Sequence, residues 1–265
     1  MSGVPKVGAQ GAGAQHAAPL PVARETPVGD AALPRLELAE WAERYGLVAG
    51  ITTRPLSLGL WSAEAVGQVI GRWRAFRAAF GGENRFPTVV LAHQVHGNEV
   101  RWHDTLSDGW IILDGIDGHA TSDAGVLLTV TVADCIPVYL AVPPKGAIAL
   151  VHAGWRGSAG GILAAAVDVL RRHAAAKGSD IVMHCGVGIC GDCYEVGSEV
   201  ADKFGPSGRS HIDLREVLAQ QARALGVRDV SISPWCSAED RERFFSHRAS
   251  KGRDGRMVAY LGRPR

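Results

Sequence analysis

Three apolar, β-branched runs in this chain each stop at a residue that can bind a metal ion. They are Thr88-Val-Val-Leu-Ala-His-Gln-Val-His96, Val126-Leu-Leu-Thr-Val-Thr-Val-Ala-Asp-Cys135 and Ala147-Ile-Ala-Leu-Val-His152. Their composition favours strands. If they are neighbours in one sheet, His96, Cys135 and His152 meet at a common edge, where the sheet fixes the backbone and the following loops shape a pocket. Two imidazoles and a thiolate suit Zn²⁺, and three protein ligands leave a fourth position for water or substrate, which points to a catalytic ion. The competing reading is three unrelated strand ends, with Cys135 a small apolar filler.

The stretch 125–142 is nearly long enough for a membrane helix, but Asp134 and Pro137 interrupt it and its β-branched content favours strands. It reads as a buried strand, a break at Ala133-Asp-Cys135, and a second strand from Val138. No transmembrane segment remains. Residues 88–142 are expected to hold three strands with little helix between them, and further strands are expected at 48–53, 181–189 and 230–236. Helices are expected at 36–45, after Ser62 as N-cap with Ala65, Val69, Trp73 and Phe76 at helical spacing, over 160–172, from Ser198, and over 211–225. Strands and helices mix without strict alternation and without an internal repeat. That pattern predicts an α+β fold with mixed sheets rather than a doubly wound parallel one.

With 46% hydrophobic residues the 265-residue chain can bury a real core. Residues 35–265 are expected to form one domain. Residues 1–34, rich in Gly, Ala and Pro, are expected to be a disordered tail without the apolar core of a secretory signal. Charge is nearly balanced, 28 Lys+Arg against 27 Asp+Glu, and no basic stripe carries interleaved aromatics, so neither nucleic acid nor membrane is an expected partner. Five scattered cysteines do not make a secreted disulfide framework, and a cytoplasmic location is expected.

Among the local motifs, His152-Ala-Gly-Trp-Arg-Gly157 places a ligand-type histidine, a planar anion donor and two glycines just before a helix. Arg156 can hold a phosphate beside a metal, or can pair with a carboxylate such as Asp134. Asp134, next to Cys135, is placed to orient a ligand or to accept a proton, or is an ordinary turn carboxylate. His93 and His96 would face opposite sides of a strand, so His96 is the ligand candidate and His93 a packing residue. Cys190-Gly-Asp-Cys193 is a CxxC with neither a second CxxC nor a thioredoxin-like context, and a structural role is favoured over a redox or zinc role. The nucleobase-deaminase signature is absent.

Taken together, Gln94-x-His96-Gly97, Thr131-x-Ala-Asp-Cys135-x-Pro137, His152-Ala-Gly-Trp-Arg-Gly157, Tyr194-Glu-Val-Gly197 and Phe244-Phe-Ser-x-Arg248 with Gly255-Arg256 resemble the YfiH family of laccase-domain, or multicopper polyphenol oxidase-like, proteins. The resemblance runs from about Gly50 to Gly262. It implies an α/β/β/α sandwich and a zinc, or copper, ion held by His96, Cys135 and His152. It also implies phosphorolysis of adenosine, inosine, guanosine and methylthioadenosine, with deamination of adenosine, so that purine nucleosides and phosphate are the expected partners. Arg156 and Asp134 join the three ligands as candidate catalytic residues. Two segments depart from the family pattern: Thr53-Arg54 is followed by Pro-Leu-Ser-Leu-Gly-Leu60, and the family's Gly-Pro-Cys-Cys-Tyr is replaced by Cys190-Gly-Asp-Cys-Tyr194. Four alternatives stay open here. They are a copper-dependent phenol oxidase, a metal-independent cysteine hydrolase with Cys135 as nucleophile, His152 as base and Asp134 as orienter, an editor of peptidoglycan precursors, and a non-catalytic metal-binding protein.

Overall fold

The apolar run broken at Ala133 folds as two strands that belong to different sheets. In the computed structural model, which describes residues 25–28, 33–205 and 210–265, the strands are β1 (Glu25–Val28), β2 (Arg35–Leu38), β3 (Val48–Thr52), β4 (Thr88–His93), β5 (Val100–His103), β6 (Gly109–Asp114), β7 (Gly118–Thr121), β8 (Val126–Val132), β9 (Ile136–Val142), β10 (Ala147–Ala153), β11 (Val182–Cys185), β12 (Asp229–Ile232) and β13 (Met257–Gly262). One sheet has the order β1-β2-β3-β13-β8-β4-β6 and the other β12-β11-β9-β10-β7-β5. Both are mixed: β4 runs parallel to β6 and β8, and β11 and β5 run parallel to β12 and β7, while the remaining pairs are antiparallel.

Period-two alternation sorts the side chains into three cores. Along β8, Val126, Leu128, Val130 and Val132 point into the layer between the sheets, where they meet Tyr139 and Ala141 of β9 and Ile148 and Leu150 of β10. The opposite residues of β9 and β10, among them Val138, Leu140, Ala149 and Val151, pack beneath the helices Ile162–Ala174 and Leu214–Ala224. On the far side, Leu127, Val89, Leu91, Val258 and Tyr260 receive Val69, Trp73 and Phe76 of the helix Val66–Ala79. The result is an α/β/β/α sandwich, as the family resemblance implies, with the mixed sheets that the sequence pattern predicts. His152 shares the parity of Ile148 and Leu150 and so faces the layer between the sheets. None of the helices among the described residues is long and apolar enough to cross a membrane.

Several expected elements are redrawn. Residues 36–45 are not one helix: Arg35–Leu38 pairs with β3, and the helix is Ala39–Tyr45. Ser62 does not cap the next helix; its Oγ accepts the Glu64 N–H in a turn, and the helix starts at Val66. Residues 88–142 contain six strands rather than three, because β5, β6 and β7 are short and carry Arg101, His103 and His119 among their apolar residues. Glu25–Val28 falls within the segment expected as a tail, yet it forms a strand. Its Glu25 is buried, with its carboxylate against His184 Nε2 at 3.3 Å and the Ser233 hydroxyl. Leu33, also within that segment, is buried against Leu58 and Trp73 in the outer core, and residues 1–24 and 29–32 lie outside the described residues.

Candidate metal centre

His96, Cys135 and His152 converge, though not as neighbours in one sheet. β4 and β8 are adjacent in the first sheet, whereas β10 lies in the second. The link is the turn Ala133-Asp134-Cys135, which carries the chain from β8 across to β9. β9 is registered against β10 so that Pro137 faces His152 and Ile136 faces Ala153. That register sets Cys135 beside His152, and the chain leaving β4 brings His96 over both. The ligand atoms of the three residues lie within 4.8 Å of one another. The two imidazoles meet edge to face, with centroids 4.8 Å apart.

The backbone is held in uncommon conformations where the candidate ligands sit. His96 has φ 60° and Asp134 φ 85°, left-handed geometry that costs a non-glycine residue roughly 1–3 kcal/mol and persists only where its surroundings impose it. At His96 the constraint is Asp117, a residue the sequence did not single out. Its Oδ1 accepts the His96 N–H at 3.0 Å and the His152 Nδ1–H at 2.8 Å, and its Oδ2 accepts the N–H groups of Val95 and Gly97 at 3.1 and 2.8 Å. The Asp117 carbonyl also accepts the His152 N–H at 2.7 Å. Fully buried between Ile116 and Gly118, this carboxylate positions two of the three candidate ligands. Its only trace in the sequence is an acid inside an otherwise buried stretch.

Gln94 and Asp134 do comparable work on either side. The Gln94 amide spans β4 and β8, its oxygen accepting from the Thr131 N–H and hydroxyl at 2.7 and 2.9 Å and its nitrogen donating to the Thr131 carbonyl at 2.9 Å. Asp134 accepts the Ser237 hydroxyl at 2.7 Å and the Arg248 N–H at 2.6 Å, which anchors the Cys135 turn. Arg156 therefore does not pair with Asp134. Its guanidinium lies 4.3 Å from the centroid of the Trp155 ring, exposed, and makes no ion pair with any of the described residues. His93 stands outside the cluster, bonded to Asp114 at 2.9 Å and stacked on Trp61.

This arrangement fits a zinc-type ion. Because His152 Nδ1 is committed to Asp117, its Nε2 is the atom left to bind, and a carboxylate behind a ligating histidine fixes both tautomer and ring orientation. Burial pushes the Cys135 thiol up, but the charge of His152 and hydrogen bonds from both histidines outweigh it and hold the thiol at about 6. Burial likewise disfavours the charged form of His152, yet the Cys135 thiolate and Asp117 raise it to about 9. Without metal, the pair is thus a thiolate and an imidazolium between about pH 6 and 9. A metal ligand must be deprotonated, so binding in that window expels the His152 proton. Zinc affinity of the metal-free protein should rise about tenfold per pH unit across it and level off above about 9. Calorimetry in buffers of different ionisation enthalpy will read about one proton released per ion; an affinity independent of pH there would contradict the pairing.

Glycines give the ligands room. A Cβ on Gly154 would stand 3.0 Å from Cys135 Sγ and 3.1 Å from His96 Cδ2, and one on Gly157 would stand 2.7 Å from the Gly97 carbonyl. Gly154 has ordinary extended geometry, φ −78° and ψ 174°, so Gly154→Ala leaves the backbone unstrained and presses on the ligands alone. Zinc affinity should fall by roughly 10–100-fold with an unchanged circular-dichroism spectrum.

Residues 42–264 match the family described as multi-copper polyphenol oxidoreductase laccase. Among curated proteins, the purine nucleoside phosphorylase YlmD of Geobacillus stearothermophilus is 32% identical over 252 residues, 82% of this chain and 90% of that protein. An adenosine deaminase, RL5, from an unknown prokaryotic organism is 35% identical over 197 residues, 66% of this chain and 75% of that protein. The crystal structure of the same Geobacillus YlmD superposes with a TM-score of 0.81 at 30% identity, covering 91% of this chain and 100% of that one. Bacillus licheniformis YfiH superposes with a TM-score of 0.79 at 26% identity, covering 89% and 98%. Matched in sequence over nearly its whole described length and in fold over nine-tenths of it, the chain belongs to the multi-copper polyphenol oxidoreductase laccase family, that of the YfiH proteins.

Proposed function

We propose that this protein is a zinc-dependent purine nucleoside phosphorylase, acting on adenosine, inosine, guanosine and methylthioadenosine, that also deaminates adenosine. The observation that carries the reading is the three-ligand set His96, Cys135 and His152 with Asp117 bonded behind His152, in a chain similar to proteins named for both activities. When bound, the ion supplies Lewis-acid polarisation at a position the protein leaves open. Arg156, exposed beside the cluster and free of ion pairs with the described residues, offers its N–H fork to phosphate. Phosphate held there would supply the nucleophilic oxygen: its bond to the anomeric carbon forms as the glycosidic carbon–nitrogen bond breaks and the base leaves with the electron pair, the negative charge of phosphate offsetting the positive charge that develops on the ribose. Asp134 acts as a positioning residue, since both its oxygens are engaged by Ser237 and Arg248.

Incubation of the zinc-loaded protein with each nucleoside and phosphate tests the reading. Ribose 1-phosphate and free base are the expected products, and inosine should form from adenosine when phosphate is omitted. Tight zinc binding with neither product would reject the assignment.

One observation favours a second reading. Cys135, His152 and Asp117 also form the nucleophile, base and orienter of a cysteine hydrolase, with Asp117 in the role the sequence suggested for Asp134. Activity retained after dialysis against a chelator would select this reading over the metal enzyme.

A further inference from the structure

The CxxC, for which the sequence favours a structural role, has two further neighbours in space. Cys236, in the turn after β12, and Glu239 bring their side chains to Cys190 and Cys193, and the four ligand atoms lie within 4.8 Å of one another. We propose that Cys190, Cys193, Cys236 and Glu239 hold a second zinc ion, distinct from the ion of the His96–Cys135–His152 centre and structural in kind.

Geometry supports this first. Glu239 Oε1 lies 3.6 Å from both Cys190 Sγ and Cys193 Sγ. Tetrahedral zinc with Zn–S of about 2.3 Å and Zn–O of about 2.0 Å sets its sulfur and oxygen ligands about 3.5 Å apart, so two edges of the tetrahedron already have the right length. The Cys190 N–H points at Cys236 Sγ at 3.3 Å, which ties that sulfur to the backbone of the CxxC turn. Cys236 is buried and held in place by a bridge to Gly188 and by the Ser237 N–H on the Gly188 carbonyl at 2.9 Å.

The chemistry agrees. Three thiols and a carboxylate aimed at one point repel once ionised, and Glu239 makes no ion pair with any of the described residues, its carboxylate facing two thiols instead. All three cysteines are free thiols. A disulfide between any two would leave the third sulfur and the carboxylate without a purpose. Soft thiolates select zinc over magnesium or calcium, and four protein ligands close the site, unlike the three-ligand centre. Cys236 and Glu239, two of the four residues, also border a surface cavity with Trp235 and Arg241.

The ion would join the two segments that support the Cys135 turn. Ser237, next to Cys236, donates to Asp134, while Ile189, next to Cys190, donates its N–H to the Asp134 carbonyl at 2.9 Å.

Metal analysis of the full chain and its variants, purified under reducing conditions, tests the proposal. The parent should carry two zinc ions per chain, Cys135→Ala one, Cys190→Ser with Cys193→Ser one, and all three substitutions none. Glu239→Gln keeps every thiol; against a zinc chelator it should lose one of its two ions at least about ten times faster than the parent. Cobalt loaded into the Cys135→Ala protein should show the intense thiolate-to-cobalt absorption of several sulfur ligands. A Cys135→Ala protein without metal, or a Cys190–Cys193 disulfide in the reduced preparation, would overturn the second site whatever the fate of the first.

Discussion

Cys135→Ala will lose the ion of the three-ligand centre, and with it at least about a hundredfold of nucleoside phosphorolysis. Loss of even an outer partner of a metal ligand costs 10–100-fold, and this substitution removes one of three direct donors. The alanine still fits the turn, because what holds that turn are the bonds of Asp134 to Ser237 and Arg248 and of Ile189 to the Asp134 carbonyl. Without metal the variant should unfold at a lower temperature than the parent between about pH 6 and 9, because the buried His152 loses its thiolate partner, while an unchanged circular-dichroism spectrum at the assay temperature shows that the loss of activity reports on chemistry. Undiminished base release by the alanine variant would remove Cys135 from the mechanism in both the zinc and the thiol readings.

Asp117→Asn should damage both stability and metal binding. The amide keeps the shape but not the charge, and it replaces one acceptor oxygen by an N–H₂ group in a nest of four donors: three backbone N–H groups and His152 Nδ1. Removing one member of a buried ion pair typically costs about 3–5 kcal/mol, and the variant should unfold at correspondingly lower denaturant. Zinc affinity should drop roughly 10–100-fold, since His152 loses the partner that fixes its ring and His96 the bond that fixes its backbone. The sign of the pH effect follows as well. In the parent, Cys135 and then Asp117 outweigh burial and raise His152 to about 9, so the stability its protonation lends the metal-free protein is complete below the ordinary histidine value and lost as pH rises through about 9. In the asparagine variant that loss should begin at lower pH. Parent-like zinc affinity and an unmoved pH profile would show that Asp117 is not the group that orients the ligands.

The difference between Cys135 and Asp117 shows what a linear sequence exposes. The three candidate ligands announce themselves because each ends a long apolar run, and β-strand periodicity then points His152 into the layer between the sheets. Their meeting across two sheets does not follow from the runs, since it depends on a single turn at Asp134 that moves the chain from one sheet to the other. Asp117 sits between short strands whose polar residues blur the alternation, so nothing in its neighbourhood marks it as the carboxylate on which His96 and His152 converge. The CxxC shows the limit of spacing: the motif favours a structural role, and Cys236 and Glu239 reach Cys190 and Cys193 from a turn more than forty residues away, which spacing alone cannot reveal. The strand at Glu25 is invisible for a third reason, as its anchorage rests on buried contacts to His184 and Ser233 rather than on an apolar pattern.

The most direct test of the central claim is a crystal structure of the zinc-loaded protein with diffraction measured on either side of the zinc absorption edge. An anomalous peak bonded to Cys135 Sγ at about 2.3 Å and to one nitrogen of each of His96 and His152 at about 2.0–2.1 Å, with His152 Nδ1 still on Asp117, is the expected result. Zinc-loaded crystals with no anomalous density among these three side chains would contradict it.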